Sequence, residues 1–392
     1  MTRGRGRSRE RALGLVLSGG GARGAFQVGV YERLLQDPRF ADGPLVLSGT
    51  SAGAINSALI AAGKTPSEIM QFWNGIADAP PVIVSAEFFH TAMRTMLQLG
   101  VEETIRWFFT VDSFAGWLRR SWRHLPPRPG SLVAAWVEWL LTARFELVSR
   151  LLQGIRAPFI VDTAPLRARL VDALGGERVP ERGIRLAINT VDAHTGRVVR
   201  FVNRDTPYTR APDYKIVDAI TVDMVMASAS IPLLFPPVEI GPHLLWDGGL
   251  LVNTPLAPVI ALGADEIVTV LVTEPPDPNP GPFPHFGRAV ERTVDSFLEN
   301  AYNIDRKLLL ARNRLARLED SHYRDVTLYE AVRPARDARF TVGSYLYFER
   351  RVIAAMHAAG HRAASAWLAA GPCIDRLEEP GADGTSASLA SA

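Results

Sequence analysis

The sequence predicts an α/β fold in which short buried strands run through tight glycine turns into helices. Three stretches carry that prediction. Leu13 to Leu17 is an apolar run that passes directly into Ser18-Gly19-Gly20-Gly21-Ala22-Arg23-Gly24. Leu45 to Leu47 is a second, leading through Ser48-Gly49-Thr50-Ser51-Ala52-Gly53 into an Ala-rich helical pattern. Glu266 to Val272 is a third, preceded by a helical pattern that ends near Leu262. Apolar runs of this length, alternating with helical periodicity and bounded by glycine, mark strands buried on both faces.

Length and composition bound the rest. With 392 residues and 47% hydrophobic content, the chain is long enough to bury a large core. The formal net charge is +2, and because the only lysines are Lys64, Lys215 and Lys307, the 43 basic residues are nearly all arginine. Acidic residues almost balance them, so no nucleic-acid surface is expected. A single cysteine, Cys373, excludes an internal disulfide and fits a reducing compartment. Residues 1–11 carry five arginines and read as a disordered basic arm. The apolar run after it is too short for a signal peptide, and no run is long enough to span a bilayer. The expected location is cytoplasmic, with peripheral contact at a membrane.

In chain order, the first turn lies between a strand end and a helix that carries Phe26, Val28, Val30, Tyr31, Leu34 and Leu35 at helical spacing. Its backbone N–H groups lack intrahelical partners, which makes the turn an anion site. Three readings compete for Gly19, Gly20, Gly21, Arg23 and Gly24. A dinucleotide fingerprint needs an acidic residue at the end of the next strand, but that strand ends at Ser51. A plain structural turn is the second reading. An oxyanion hole is the third, and it explains why a glycine-lined donor cluster and a serine turn close adjacent strands. Gly49-Thr50-Ser51-Ala52-Gly53 has the strand, sharp turn and helix of a nucleophile elbow, so Ser51 is the candidate nucleophile.

The helix after Ser51 ends near Gly63, and Thr65-Pro66-Ser67-Glu68 reads as a capping box with proline at the first helical position. Residues 81–157 form a helical insert with five of the eight tryptophans. Within it, residues 131–155 place an apolar face opposite a polar one. It reads first as a cap packed on the core; a compatible, sharper reading is a lid whose Trp-rich face meets lipid. A short helix ending near Gly175 follows. Arg185 to Val191 and Arg197 to Val202 are two strands joined by a turn holding His194. Val222 to Ala229 is a helix, and Val238 to Ile240 with Leu244 to Trp246 form a hairpin that delivers Asp247-Gly248-Gly249. Asp247 is the candidate base, with Gly248 and Gly249 as its turn. Residues 276–370 comprise a Pro-rich linker and C-terminal helices, the last read from Tyr345 to Ala370; 371–392 reads as a disordered tail.

Three of these elements, Gly-Gly-Gly-Ala-Arg-Gly at 19–24, Gly-Thr-Ser-Ala-Gly at 49–53 and Asp-Gly-Gly at 247–249, together resemble the patatin-like phospholipase family. The resemblance implies a three-layer α/β/α sandwich over 12–275 and a Ser51–Asp247 dyad in place of a triad. It also implies an oxyanion hole at 19–24, a lipid or phospholipid substrate, and neither metal nor other cofactor. Thr254 departs from the second asparagine found in many members and lies outside the dyad.

Two alternatives stand beside this reading, ahead of a dinucleotide-binding enzyme as the third. One is a Ser-His-Asp hydrolase, for which His322, His357 and His361 are the late histidines, all in or beside helical segments. The other is a non-catalytic lipid-binding or membrane-associated scaffold of the same fold.

Overall fold

Alternation along the strands builds the architecture. The computed structural model describes residues 11–79, 81–109, 145–275, 286–318, 324–336, 345 and 347–376. In β1 (Leu13–Leu17), Leu15 and Leu17 enter one apolar cluster and Val16 the other. The same split divides Leu47 from Val46 in β2 (Val46–Gly49), Leu186 and Ile188 from Ala187 in β5 (Arg185–Asp192), and Val268 from Ile267 in β10 (Glu266–Val270). Side chains on successive residues point to opposite sheet faces, so both faces are apolar and both need a helical cover. One cover comes from α1 (Gly24–Leu35), α2 (Ala52–Ala61), α3 (Pro66–Asp78) and the helix Arg350–Ala370. The other comes from the helices Leu256–Ala261 and Phe286–Ala316, through Leu256, Val259, Tyr302 and Leu309. The result is a sheet between two helical layers, as the sequence predicts.

The strand order is β11-β10-β1-β2-β5-β6-β7, with β11 at Thr327–Leu328, β6 at Val198–Val202 and β7 at Tyr214–Ile216. From β11 to β5 every neighbour is parallel. Strand β6 returns antiparallel to β5. Further along β5, β9 (His243–Asp247) pairs antiparallel and sets Asp247 opposite Thr190, while β8 (Val238–Ile240) pairs only with β9. Strand β6 takes one side of β5, while parallel β2 pairs with residues 185–188 on the other side and antiparallel β9 continues along that same side at 190–192, which brings the serine turn and the aspartate to one end of the sheet.

The capping box is present as expected: the Thr65 hydroxyl accepts from the Glu68 N–H at 3.3 Å and Glu68 accepts from the Thr65 N–H at 2.8 Å. Two expectations need correction. The last helix begins at Arg350, because Tyr345 is held off the helical path: its ring stacks on Arg23 and its hydroxyl donates to Asp295 at 2.9 Å. Strand β7 was not predicted, since three residues centred on Lys215 carry no alternation signal.

The chain divides into two compact units, one of Met1–Pro81, Ala164–Ile231 and Pro237–Ala392, the other of Val82–Thr163 and Pro232–Pro236. The smaller contains a two-stranded ribbon of β3 (Ile83–Val84) and β4 (Val161–Asp162), the helix α4 (Ala86–Phe109) and the helix Phe145–Gly154. The basic arm 1–10, four of the five insert tryptophans, the first part of the amphipathic stretch 131–155, the prolines of 276–285 and the tail from 377 lie outside the described residues. Among the described residues no helix is long and apolar enough to cross a membrane.

Candidate active site

Ser51 links β2 to α2 with φ 55° and ψ −125°. A residue with a β-carbon is strained there by roughly 1–3 kcal/mol and stays only where its surroundings impose it. They do so through hydrogen bonds. Thr50 donates its N–H to Leu17 O at 3.3 Å and its hydroxyl to Val252 O at 2.8 Å, while Gly53 N–H closes the turn on Thr50 O at 2.8 Å. The Ser51 N–H itself donates to the Ser228 carbonyl at 3.0 Å, with the Ser228 hydroxyl at 3.1 Å. Gly53 sits against the end of β1, where a β-carbon would stand 2.2 Å from Leu17 O and 2.7 Å from Ser18 O. Only glycine fits. Gly49 lies directly beneath the turn, over the Gly53 carbonyl.

Asp247 ends β9. Its N–H donates to Ser230 O at 2.8 Å, and its Oδ1 accepts the Gly249 N–H at 2.7 Å. The Ser51 side chain stands near enough to the same carboxyl group to draw its pKa down. Gly248 packs on the Asn189 carbonyl of β5 and on Thr50, which joins the base turn to the elbow. Asp247 is 5% exposed. Burial pushes its pKa up to about 7, against the smaller opposing pull of the Gly249 hydrogen bond and the Ser51 side chain. An exposed aspartate titrates near ~3.9; the buried position makes Asp247 a much stronger base.

The glycine turn lies alongside. A β-carbon on Gly19 would stand 3.1 Å from that of Ser51 and 2.3 Å from Asn253 Oδ1, so Gly19 abuts the serine. Its N–H is committed to Asn253 O at 3.0 Å, and Arg23 N–H returns to Gly20 O at 3.1 Å. Gly20 and Gly21 open the short 3₁₀ turn Gly21–Arg23, and among the described residues neither N–H meets a backbone acceptor. Gly24 starts α1 against the Trp73 ring. The Arg23 side chain is wholly buried; it donates to Val272 O at 3.0 Å, stands 3.8 Å from Asp295 and lies 3.7 Å over the Tyr345 ring. It braces the turn.

Sequence reasoning missed the polar residues that hold these parts together. Ser228 donates its hydroxyl to Asn189 O at 2.6 Å, and Asn189 in turn donates to Gly49 O at 2.8 Å, so the elbow, β5 and the helix Val222–Ser228 share one network. Beneath the glycine turn, Trp73 donates to Asn56 at 2.9 Å, Asn56 to Gly24 O and Gln27 at 2.9 Å each, and Gln27 to Ser18 O at 2.6 Å. A buried polar group persists when it is satisfied, and here each bond also fixes a backbone segment. The only sequence signal was Asn56 and Gln27 on otherwise apolar helix faces. Ser228→Ala is expected to lower kcat about tenfold with a stability loss near 1 kcal/mol, because the elbow keeps its carbonyl bond but loses the hydroxyl bridge; steady-state kinetics beside a thermal melt check this.

No histidine bonds to Ser51 or Asp247 among the described residues. His357 and His361 lie in the helix Arg350–Ala370, where His357 stands 2.9 Å from Glu32, and His322 is outside the described residues. His243, on the same strand as Asp247, is held by Asp192 at 2.7 Å. His194 occupies the turn foreseen for it, with Asp192 accepting its N–H at 3.0 Å.

Comparison with known proteins adds the family. The profile described as patatin-like phospholipase matches residues 15–260. A patatin-like phospholipase domain-containing protein of Caenorhabditis elegans is 34% identical over 95 residues, which cover 23% of this chain and 7% of that one. Among solved structures, VipD from Legionella pneumophila is 15% identical with a TM-score of 0.35, over 91% of this chain and 67% of that one. The type III effector ExoU is 16% identical with a TM-score of 0.33, over 92% and 53%. The chain thus spans only a small part of its curated relative and about half of ExoU. The profile match runs from β1 through both turns and Asp247 to the helix behind them, and by it the chain belongs to the patatin-like phospholipase family.

Proposed function

We propose that the protein hydrolyses carboxylic ester bonds of lipids, as a phospholipase A or lysophospholipase-type esterase, with Ser51 as nucleophile and Asp247 as general base. The observation that carries the reading is a serine held at φ 55° in the strand-to-helix turn with a buried aspartate beside it, the two turns joined where Gly248 packs on Thr50; burial raises the pKa of that aspartate. The Ser51 oxygen attacks the ester carbonyl carbon while its proton passes to Asp247. The tetrahedral intermediate expels the alcohol, which takes the proton back from Asp247. Water, deprotonated by the same carboxylate, then attacks the acyl group on Ser51; the C–O bond to Ser51 breaks, the serine oxygen takes the proton back from Asp247, and the fatty acid leaves. A general base works best with a pKa close to the working pH, which an exposed aspartate lacks.

Charge on the carbonyl oxygen needs donors fixed in advance. The Gly20 and Gly21 N–H groups fit that role, together with the N–H of Ala52, the first residue of α2 and the residue after the nucleophile. Gly19 N–H is taken by Asn253 and serves to hold the turn. Each donor is worth on the order of 10²–10³ in rate in comparable hydrolases.

Fatty-acid release from phospholipid vesicles and from a soluble short-chain ester, measured for wild type and Ser51→Ala, tests the reading. Activity on vesicles that disappears with Ser51→Ala is the expected result. Equal activity in the two proteins overturns it.

A further inference from the structure

The glycine turn is closed from outside by residues that follow the patatin-like region in sequence. Gly21 has φ 55°, and a β-carbon on it would stand 2.0 Å from the Tyr345 carbonyl oxygen, so the Tyr345 backbone lies against the turn. The Arg23 guanidinium lies 3.7 Å over the centre of the Tyr345 ring, and the Tyr345 hydroxyl donates to Asp295 at 2.9 Å. Asp295 is buried on the helix Phe286–Ala316 and stands 3.8 Å from the same guanidinium. Arg23 returns these contacts to the turn, because its N–H donates to Gly20 O at 3.1 Å and its side chain to Val272 O at 3.0 Å. Val272 also packs on Gly20, where an added β-carbon would fall 2.4 Å from its Cγ2. Val272, Asp295 and Tyr345 all lie beyond the matched region.

We propose that Tyr345 and Asp295 are positioning residues for the oxyanion hole, aiming the Gly20 and Gly21 N–H groups through Arg23 and through the contact with Gly21. The inference rests on the ester hydrolase reading, with those two N–H groups as its donors. Backbone donors lower the barrier only if their direction is set before charge develops. Consecutive glycines leave that direction free, since each populates both signs of φ. Hydrogen bonds restrain the two ends of the turn, Gly19 N–H to Asn253 O on one side and Arg23 N–H to Gly20 O on the other. Between them, Gly21 keeps its positive φ against the Tyr345 carbonyl, and Arg23 keeps its place because Asp295 and the face of the tyrosine ring balance a buried cation. Removing either partner leaves the guanidinium with less to offset its desolvation, and it is relieved by movement of Arg23 and of the turn it carries.

The test uses the full chain, with kcat and KM measured on a soluble short-chain ester and on its thionoester, in which sulfur replaces the carbonyl oxygen. Sulfur is larger and accepts hydrogen bonds weakly, so an aimed pair of N–H donors favours the oxygen ester and a loosened pair favours it less. Tyr345→Leu is expected to lower kcat on the oxygen ester about 10²-fold with KM little changed, and to shrink the oxygen-over-sulfur preference about tenfold. Tyr345→Phe keeps the ring over Arg23 and should recover most of the loss. Asp295→Asn should lose about tenfold in kcat, and it carries the same readouts if Tyr345→Leu does not fold. Equal losses on the two esters overturn the proposal, because they assign these residues to general stability. So does a kcat in Tyr345→Leu and Asp295→Asn that matches wild type. Amide exchange over residues 18–24, where the Arg23 N–H is protected by Gly20 O, reads the turn without turnover. Faster exchange confined to that segment in the variants, with no ester hydrolysis by wild type, keeps the brace and removes the hydrolase reading; unchanged exchange there removes the brace, so the two fail separately.

Discussion

Asp247→Asn is expected to lower ester hydrolysis about as far as Ser51→Ala, on the order of 10³–10⁴-fold in kcat, and yet to stabilise the protein at neutral and higher pH. Both effects come from one buried carboxyl group. Its folded-state pKa stands near 7 against an ordinary value of 3.8, so the folded protein binds the proton more tightly than the unfolded chain. Stability from this group is therefore complete below the unfolded pKa, declines as pH rises from about 4, and levels off above about 7. A shift of this size corresponds to at most roughly 4 kcal/mol at the plateau. Asparagine still accepts the Gly249 N–H and does not ionise, so its melting temperature should fall less over that range than the wild-type value. Activity runs the other way: kcat/KM of wild type should rise with pH on a limb centred near 7, where the base ionises. Denaturant melts and initial rates over the same pH series check both limbs. A wild-type rate independent of pH across that interval, or an Asn variant that is less stable above it, contradicts the buried-base assignment.

Gly53→Ala is expected to destabilise the protein by about 3 kcal/mol or more and to remove activity along with the fold of the elbow. The added methyl would meet two backbone carbonyl oxygens, that of Leu17, which accepts the Thr50 N–H, and that of Ser18, which accepts from the Gln27 side chain. No side-chain rotation relieves it. Gly75 is the matched control. It lies inside α3 with nothing within 4 Å of an added β-carbon, so Gly75→Ala should stabilise by roughly 0.5–1 kcal/mol through helix propensity. Equal melting temperatures for the two variants would mean that the close packing of the elbow on β1 is not a constraint.

The parts legible in the sequence are those encoded within a few neighbouring residues. Leu13–Leu17 and Val46–Gly49 are apolar runs closed by glycine, and Gly49-Thr50-Ser51-Ala52-Gly53 specifies its own turn, so strand, elbow and helix follow locally. The box at Thr65–Glu68 is legible for the same reason. What the sequence does not display are partnerships over long separations. Ser228 reaches Ser51 across 177 residues, and Arg23 reaches Val272 across 249. Tyr345 breaks a helical pattern because its ring finds Arg23 from the other end of the chain, which no local preference encodes. The raised pKa of Asp247 is of the same kind. Asp-Gly-Gly announces a turn, while the proton affinity depends on everything that packs around it.

The most direct measurement is intact mass after rapid quenching of the protein with a soluble short-chain ester. Wild type should gain the mass of one acyl group, mapped by peptide digestion to Ser51, and the adduct should decay as hydrolysis proceeds. Ser51→Ala should gain none, and Asp247→Asn should acylate far more slowly. Turnover of the ester with no adduct on Ser51, or an adduct on another residue that survives in Ser51→Ala, would contradict a mechanism built on this serine and its buried aspartate.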